Sequence, residues 1–170
     1  VNEQEHGTEY IKEVLMALSI TTLDSTNEKN WNDLVLSSPH GTIFHTIEWL
    51  RLVEKQSDTE LLPCMFYKGS QIVALYPVFI KKQGFVKLAL SPPPKSYMLY
   101  LGPVIAEYDD LKQDKKESTY LHIQEELDKF IFGKTGCKYS RIRTSPGIYD
   151  SRPLRWSGYS VDPLYTYRID

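Results

Sequence analysis

Several side chains in this sequence are of types that grip charged ligands or move protons. Arg141, Arg143, Arg152, Arg155 and Arg168 crowd into the last part of the chain among few acids. A guanidinium fork holds phosphate or carboxylate in two parallel hydrogen bonds, so Arg152 and Arg155, beside Trp156, could bind such a ligand. They could equally form one solvated face with a cation–π contact from Arg155 to Trp156. Glu107 directly follows an apolar GPVI run. A carboxylate aimed from there into a cleft could act as a general base or hold an amine. It could also be an ordinary exposed charge at a strand end. His45 and Trp49 stand one helical turn apart, with His45 as cap, packed ring or ligand-binding group. The four histidines, His6, His40, His45 and His122, have no metal-ligand spacing, although His40 and His45 could face one pocket. No metal is expected. Nucleotide-binding glycine loops, GxSxG, HExxH and CxxC are absent.

These groups need elements to hold them. Residues 90–105, LSPPPKSYMLYLGPVI, carry three consecutive prolines and a Gly-Pro pair. Proline fixes φ and removes the amide donor, so Pro92–Pro94 must form a stiff loop outside any sheet. That loop presents Lys95, Tyr97 and Tyr100 as candidate substrate-binding residues, and Gly102 permits a close approach or a positive φ. Before it, the pattern predicts a strand over 15–23, helices over 27–36 and 45–56, and strands over 61–68, 71–82 and 85–90. The run from Ile72 to Ile80 is almost wholly apolar, as in a central strand covered on both faces, with Pro77 implying a bulge or local splaying. After a short strand over 101–105 come a charged, solvated or mobile linker over 107–117 and a helix over 118–134. A strand over 138–144, a polar loop over 150–158 and a final strand over 159–170 complete the pattern. Residues 1–10 are expected to fray. The order predicts an α+β fold, a mixed and mostly antiparallel sheet with helices packed on its faces.

At 170 residues the chain can build one compact core, and a formal net charge of −2 gives no general attraction to DNA or to membranes. No apolar run approaches the roughly 20 residues of a membrane span, and the acidic start is no signal peptide. Cys64 and Cys137 are far apart and unclustered, so free thiols and a cytoplasmic location are expected.

Four segments in order, WNDLVLSSPHGTIFHTIEW (31–49), GSQIVALYPVFIKKQG (69–84), LSPPP with YLGPVI (90–105) and TSPG with RPLRWSGYSVDPLYTY (144–167), resemble the first half of the Fem-like acyltransferases. Those proteins consist of two tandem domains of the GNAT-type acyl-CoA N-acyltransferase fold. The resemblance implies that residues 11–170 form a single GNAT-like domain, the amino-terminal half of a longer protein whose partner is a second such domain. It implies acyl transfer to a small-molecule or peptide amine, with acyl-CoA or an aminoacyl-tRNA as donor held mainly by the second domain. The Q/R-x-x-G-x-G/A turn that cradles CoA pyrophosphate in the family does not occur here, so no cofactor is expected on this segment. In the peptidoglycan branch an Asp follows the Gly-Pro strand; here Ala106 stands there, with Glu107 one residue later, and Val53 replaces that branch's Lys. That branch's acceptor chemistry is therefore not carried over. Two readings stay open: an acceptor-binding domain, incomplete for catalysis by itself, and a catalytically dead module for binding or assembly. A pocket beneath the proline loop, lined by His45, Trp49, Tyr100 and arginines, would favour the first, and a filled surface there the second.

Overall fold

The computed structural model describes residues 18–165. The expected frayed segment over 1–10, the start of the first strand and the last five residues lie outside that range. Strand β1 (Leu18–Thr22) leads to helix α1 (Glu28–Ser37), a 3-10 turn (Ile43–His45) and helix α2 (Ile47–Ser57). Asp24 accepts the amides of Thr26 and Asn27, turning the chain into α1. Asn32 then accepts the Ile47 amide, so the first helix supplies part of the cap of the second. Strands β2 (Glu60–Lys68), β3 (Gln71–Gln83) and β4 (Val86–Ser91) form an antiparallel meander joined by short turns.

Strand β5 (Val104–Ile105) returns after the proline loop and pairs with β3. A 3-10 turn (Tyr108–Asp110), helix α3 (Gln113–Asp128) with a π-helical end (Lys129–Thr135), strand β6 (Tyr139–Ile142) and helix α4 (Arg152–Trp156) complete the order. The sheet runs β1-β2-β3-β4-β6, with β6 parallel to β4 and the other pairings antiparallel. A parallel pair needs a long crossover, which the loop, β5 and α3 provide.

Period-two alternation in β3 splits the core in two. Ala74, Tyr76, Val78 and Ile80 join Tyr120, Ile123 and Leu127 of α3, while Leu75 and Phe79 join Trp31, Val35, Ile47 and Leu50 of α1 and α2. The apolar β3 sequence is central because both faces are covered. Pro77 lies where the neighbouring ladder breaks. β3 pairs with β4 from Phe79 to Gln83 and with β5 at Ala74 and Leu75, leaving Pro77 unpaired on that edge. Its freed carbonyl accepts the Ser91 hydroxyl at 2.7 Å, and Ser91 Oγ accepts the Gly102 amide at 3.1 Å. The ladder therefore splays at Pro77, while the bulge on the β2 side falls at Phe66/Tyr67.

Three expectations need correction. The charged stretch over 107–117 is no open linker, since α3 begins at Gln113, where Gln113 bonds Glu117 and Asp150. Gln, Lys and Glu are good helix formers, so a charge run need not be a linker. The stretch over 150–158 contains α4, because Pro153 in the first turn is compatible with a helix start. Residues 159–165 form no strand; instead the Tyr159 hydroxyl donates to Asp128, tying this segment to α3.

Candidate functional site

Met98 and Leu101 of the proline loop pack with α1 and α2, whereas Leu154 of α4 packs with α3. The candidate residues therefore separate onto opposite faces of the sheet. On the first face His45 is wholly buried. Its Nδ1 accepts the Thr42 amide at 3.2 Å, which leaves Nε2–H to donate to the Leu101 carbonyl at 3.3 Å. Its carbonyl accepts the Trp31 indole at 2.7 Å. Burial lowers its pKa from 6.5 to about 4, so the ring is neutral and pins the end of the proline loop. Trp49 packs on Phe44 at 5.6 Å, Phe44 meets Tyr100 at 5.5 Å, and the Trp49 indole N–H is buried without a partner. Lys95 and Tyr97 are exposed and take left-handed φ values of 63° and 57°. This surface is filled by aromatic rings.

On the other face Arg152 pairs with Asp150 at 2.7 Å and Glu117 at 2.5 Å. Its guanidinium holds the Asp150 carboxyl below the ordinary range. Arg152, not Arg155, lies over the Trp156 ring, at 5.9 Å. Arg155 and Trp156 are exposed on α4. Arg152 and Arg155 on α4 thus lie across the sheet from His45 and Trp49, whereas Arg143 stays beside the proline loop, its carbonyl accepting the Leu101 amide at 2.8 Å and its side chain exposed.

A different constellation forms where the chains leaving β5 and β6 diverge. His40, 3% exposed, comes in from the loop after α1 and wedges between them. Its ring meets Tyr108 edge-on at 5.3 Å, and a Cβ on Gly147 would lie 2.1 Å from its Nδ1, so only glycine admits the ring there. His40 Nε2 stands 3.3 Å from Asp109 Oδ1, and neither ring nitrogen makes a well-formed hydrogen bond. The Lys116 ammonium lies 4.0 Å from the same carboxylate and 5.5 Å over Tyr108. A cavity of about 400 Å³ opens here, bounded by His40, Tyr108, Asp109, Gln113, Tyr149 and Asp150. A second, of about 430 Å³, shares Pro39 and Asp109 and adds Glu107, Asp110, Leu34 and Ile72. Glu107 is exposed at φ 50°. Sequence reasoning placed Asp109 in a solvated linker and had only the proximity of His40 and His45 to suggest a site. No sequence signal links His40 to Asp109.

The turn at the head of α3 borders both cavities, and its chemistry bears on the CoA pyrophosphate that the resemblance implies. The residues present do not fit that group. Between Glu107 and Glu117 there are five carboxylates and three lysines, and no glycine occurs between Gly102 and Gly133. The amides of Ala106, Asp110 and Leu111 are already donated to the carbonyls of Val73, Glu107 and Tyr108. A pyrophosphate cradle needs free successive amides and a positive local field. Among the described residues no cluster suited to a metal ion occurs, and no helix is long and apolar enough to cross a membrane.

No family model and no curated protein matches the sequence. Among solved structures, a possible acetyltransferase from Clostridium difficile 630 superposes with a TM-score of 0.51 at 8% identity, over 91% of this chain and 99% of that one. This chain shares the GNAT-like fold. Glucosamine-6-phosphate N-acetyltransferase from Arabidopsis thaliana gives a TM-score of 0.48 at 12% identity, over 89% and 97% of the two chains. An aminoglycoside antibiotic 6'-N-acetyltransferase from Acinetobacter baumannii gives 0.49 at 12%, over 90% and 97%. Of these three, the first carries the fold comparison. The GNAT-like fold here is an open sheet with α1 and α2 on one face and α3 and α4 on the other.

Proposed function

We propose that this chain is the acceptor-binding, amino-terminal domain of an N-acyltransferase, incomplete for catalysis by itself. The observation that carries this reading is the acidic turn at the head of α3, with five carboxylates against three lysines from Glu107 to Glu117, on an acetyltransferase-like fold. Such a turn repels a donor's phosphates and attracts an amine's positive charge. The acyl donor, acyl-CoA or an aminoacyl-tRNA, then belongs to a second GNAT-like domain of the same protein. The acceptor amine enters at the fork rather than beneath the proline loop. Two buried free thiols suit a cytoplasmic setting, and burial raises the Cys64 thiol to about 12. The test is titration calorimetry of these 170 residues with acetyl-CoA. No saturable binding is expected at millimolar ligand, and a Kd of about 10 μM or tighter, worth roughly 7 kcal/mol, overturns the reading.

One observation favours a second reading, a catalytically dead module for assembly. The surface around the proline loop is filled, and its tip exposes Tyr97 (97%) and Leu99 (68%). In that reading Tyr97→Ser with Leu99→Ser abolishes association with the partner while the fork binds no amine.

A further inference from the structure

We propose that the fork binds a flexible aliphatic di- or polyamine, an inference that rests on the acceptor-domain reading and specifies its ligand class. The second cavity is walled by Glu107, Asp109 and Asp110 with no cation among its lining residues, and by apolar Leu34, Ile72 and Ala106. Carboxylates around an apolar floor match ammonium groups separated by methylenes. The acidic wall is joined by an independent feature: His40 is buried, has no hydrogen-bond partner for either nitrogen, and turns Nε2 toward Asp109. An ammonium bound to the exposed Asp109 carboxylate stands beside His40 Nε2, the buried nitrogen that faces Asp109 Oδ1 at 3.3 Å without a hydrogen bond.

Lys116 already shows what the subsite accepts. Its primary ammonium rests by Asp109 and over the Tyr108 ring, at 4.0 Å and 5.5 Å. Asp109 is the more exposed of the two partners, so a second, untethered ammonium can compete with Lys116 for the same carboxylate. Pro39 and Asp109 line both cavities, so a chain crossing them places one charge by His40 and another by Glu107 and Asp110. Two charges on one chain bind more tightly than one because the second contact is intramolecular.

The experiment is calorimetric titration of the 170-residue chain with spermidine, 1-aminobutane and MgCl2 at matched ionic strength, repeated on D109N, H40Q and K116Q. Spermidine is expected to bind at least 10-fold more tightly than 1-aminobutane. D109N weakens spermidine at least 10-fold, H40Q weakens it severalfold, and K116Q tightens it by removing the resident cation. The proposal is overturned if spermidine does not bind, if MgCl2 binds as well, or if D109N leaves affinity unchanged. Asp109 is 57% exposed, so D109N tests the site without disturbing the core, and a thermal midpoint on each variant separates a lost site from a lost fold. Failure of spermidine with acetyl-CoA also unbound removes the polyamine alone. Tight acetyl-CoA binding removes the acceptor-domain reading and this inference with it.

Discussion

The His45 imidazole accepts the Thr42 amide and donates to the Leu101 carbonyl inside the core, and burial lowers its pKa from 6.5 to about 4. In the unfolded chain the same group titrates near 6.5. The unfolded state therefore takes up the proton first. Stability is fully present above about pH 6.5, falls as pH drops toward about 4, and loses no more from this group below that. The expected loss is about 3 kcal/mol. Urea midpoints measured at pH 7, 5.5 and 4.5 should show this decline in the parent chain, and His45→Gln should lack that component while starting from lower stability at pH 7. A decline of equal size in the variant would assign the pH dependence to other groups. The His40 ring contrasts with it, being buried with neither nitrogen hydrogen-bonded.

Ser91 joins three elements through one hydroxyl, donating to the Pro77 carbonyl of β3 and accepting the Gly102 amide where the proline loop returns. Gly102 has φ 78°, and a Cβ there would lie 3.0 Å from Thr144 Cα, so the return needs glycine for both conformation and space. Ser91→Ala leaves a buried carbonyl and a buried amide unpaired. It should cost about 2–4 kcal/mol, read as a shift of the denaturant midpoint at constant m. It should also speed hydrogen exchange at Gly102 more than at the centre of β3. Equal exchange at Gly102 in parent and variant would show that the hydroxyl does not hold the loop. At this scale the sequence displayed much. Three prolines excluded the loop from the sheet, and Pro77 announced the break in the ladder. The start of α3 was not legible, because Lys, Glu and Gln serve both solvated linkers and helices. An i,i+4 bond from Gln113 to Glu117 and a tertiary bond from Gln113 to Asp150 accompany the helical choice.

Across the whole molecule, β3 is paired along both edges and covered on both faces, whereas β1 and β6 each pair with one strand among the described residues. Amides of Leu75, Phe79 and Ile80, where β3 has a neighbour on each side, should exchange only on global unfolding, and those of Tyr139–Ile142 through smaller openings. Native-state exchange at increasing urea tests this order. Convergence of β6 with the β3 isotherm at low urea would mean that the sheet opens as one unit.

The sequence by itself determined the fold class, the central strand, the stiff loop and the missing phosphate turn, because these follow from local preferences and short-range patterns. It did not determine which candidates meet. Alternation along β3 divides the core, so that the proline loop packs with α1 and α2 while α4, with Arg152 and Arg155, packs with α3. The expected pocket of His45, Trp49 and Tyr100 therefore cannot include Arg152 or Arg155. The His40–Asp109 pair arises only because strands β5 and β6 diverge beside the loop after α1, and Gly147 leaves room for the ring. Proximity between residues far apart in the chain is a product of packing, and the tertiary structure alone decides it.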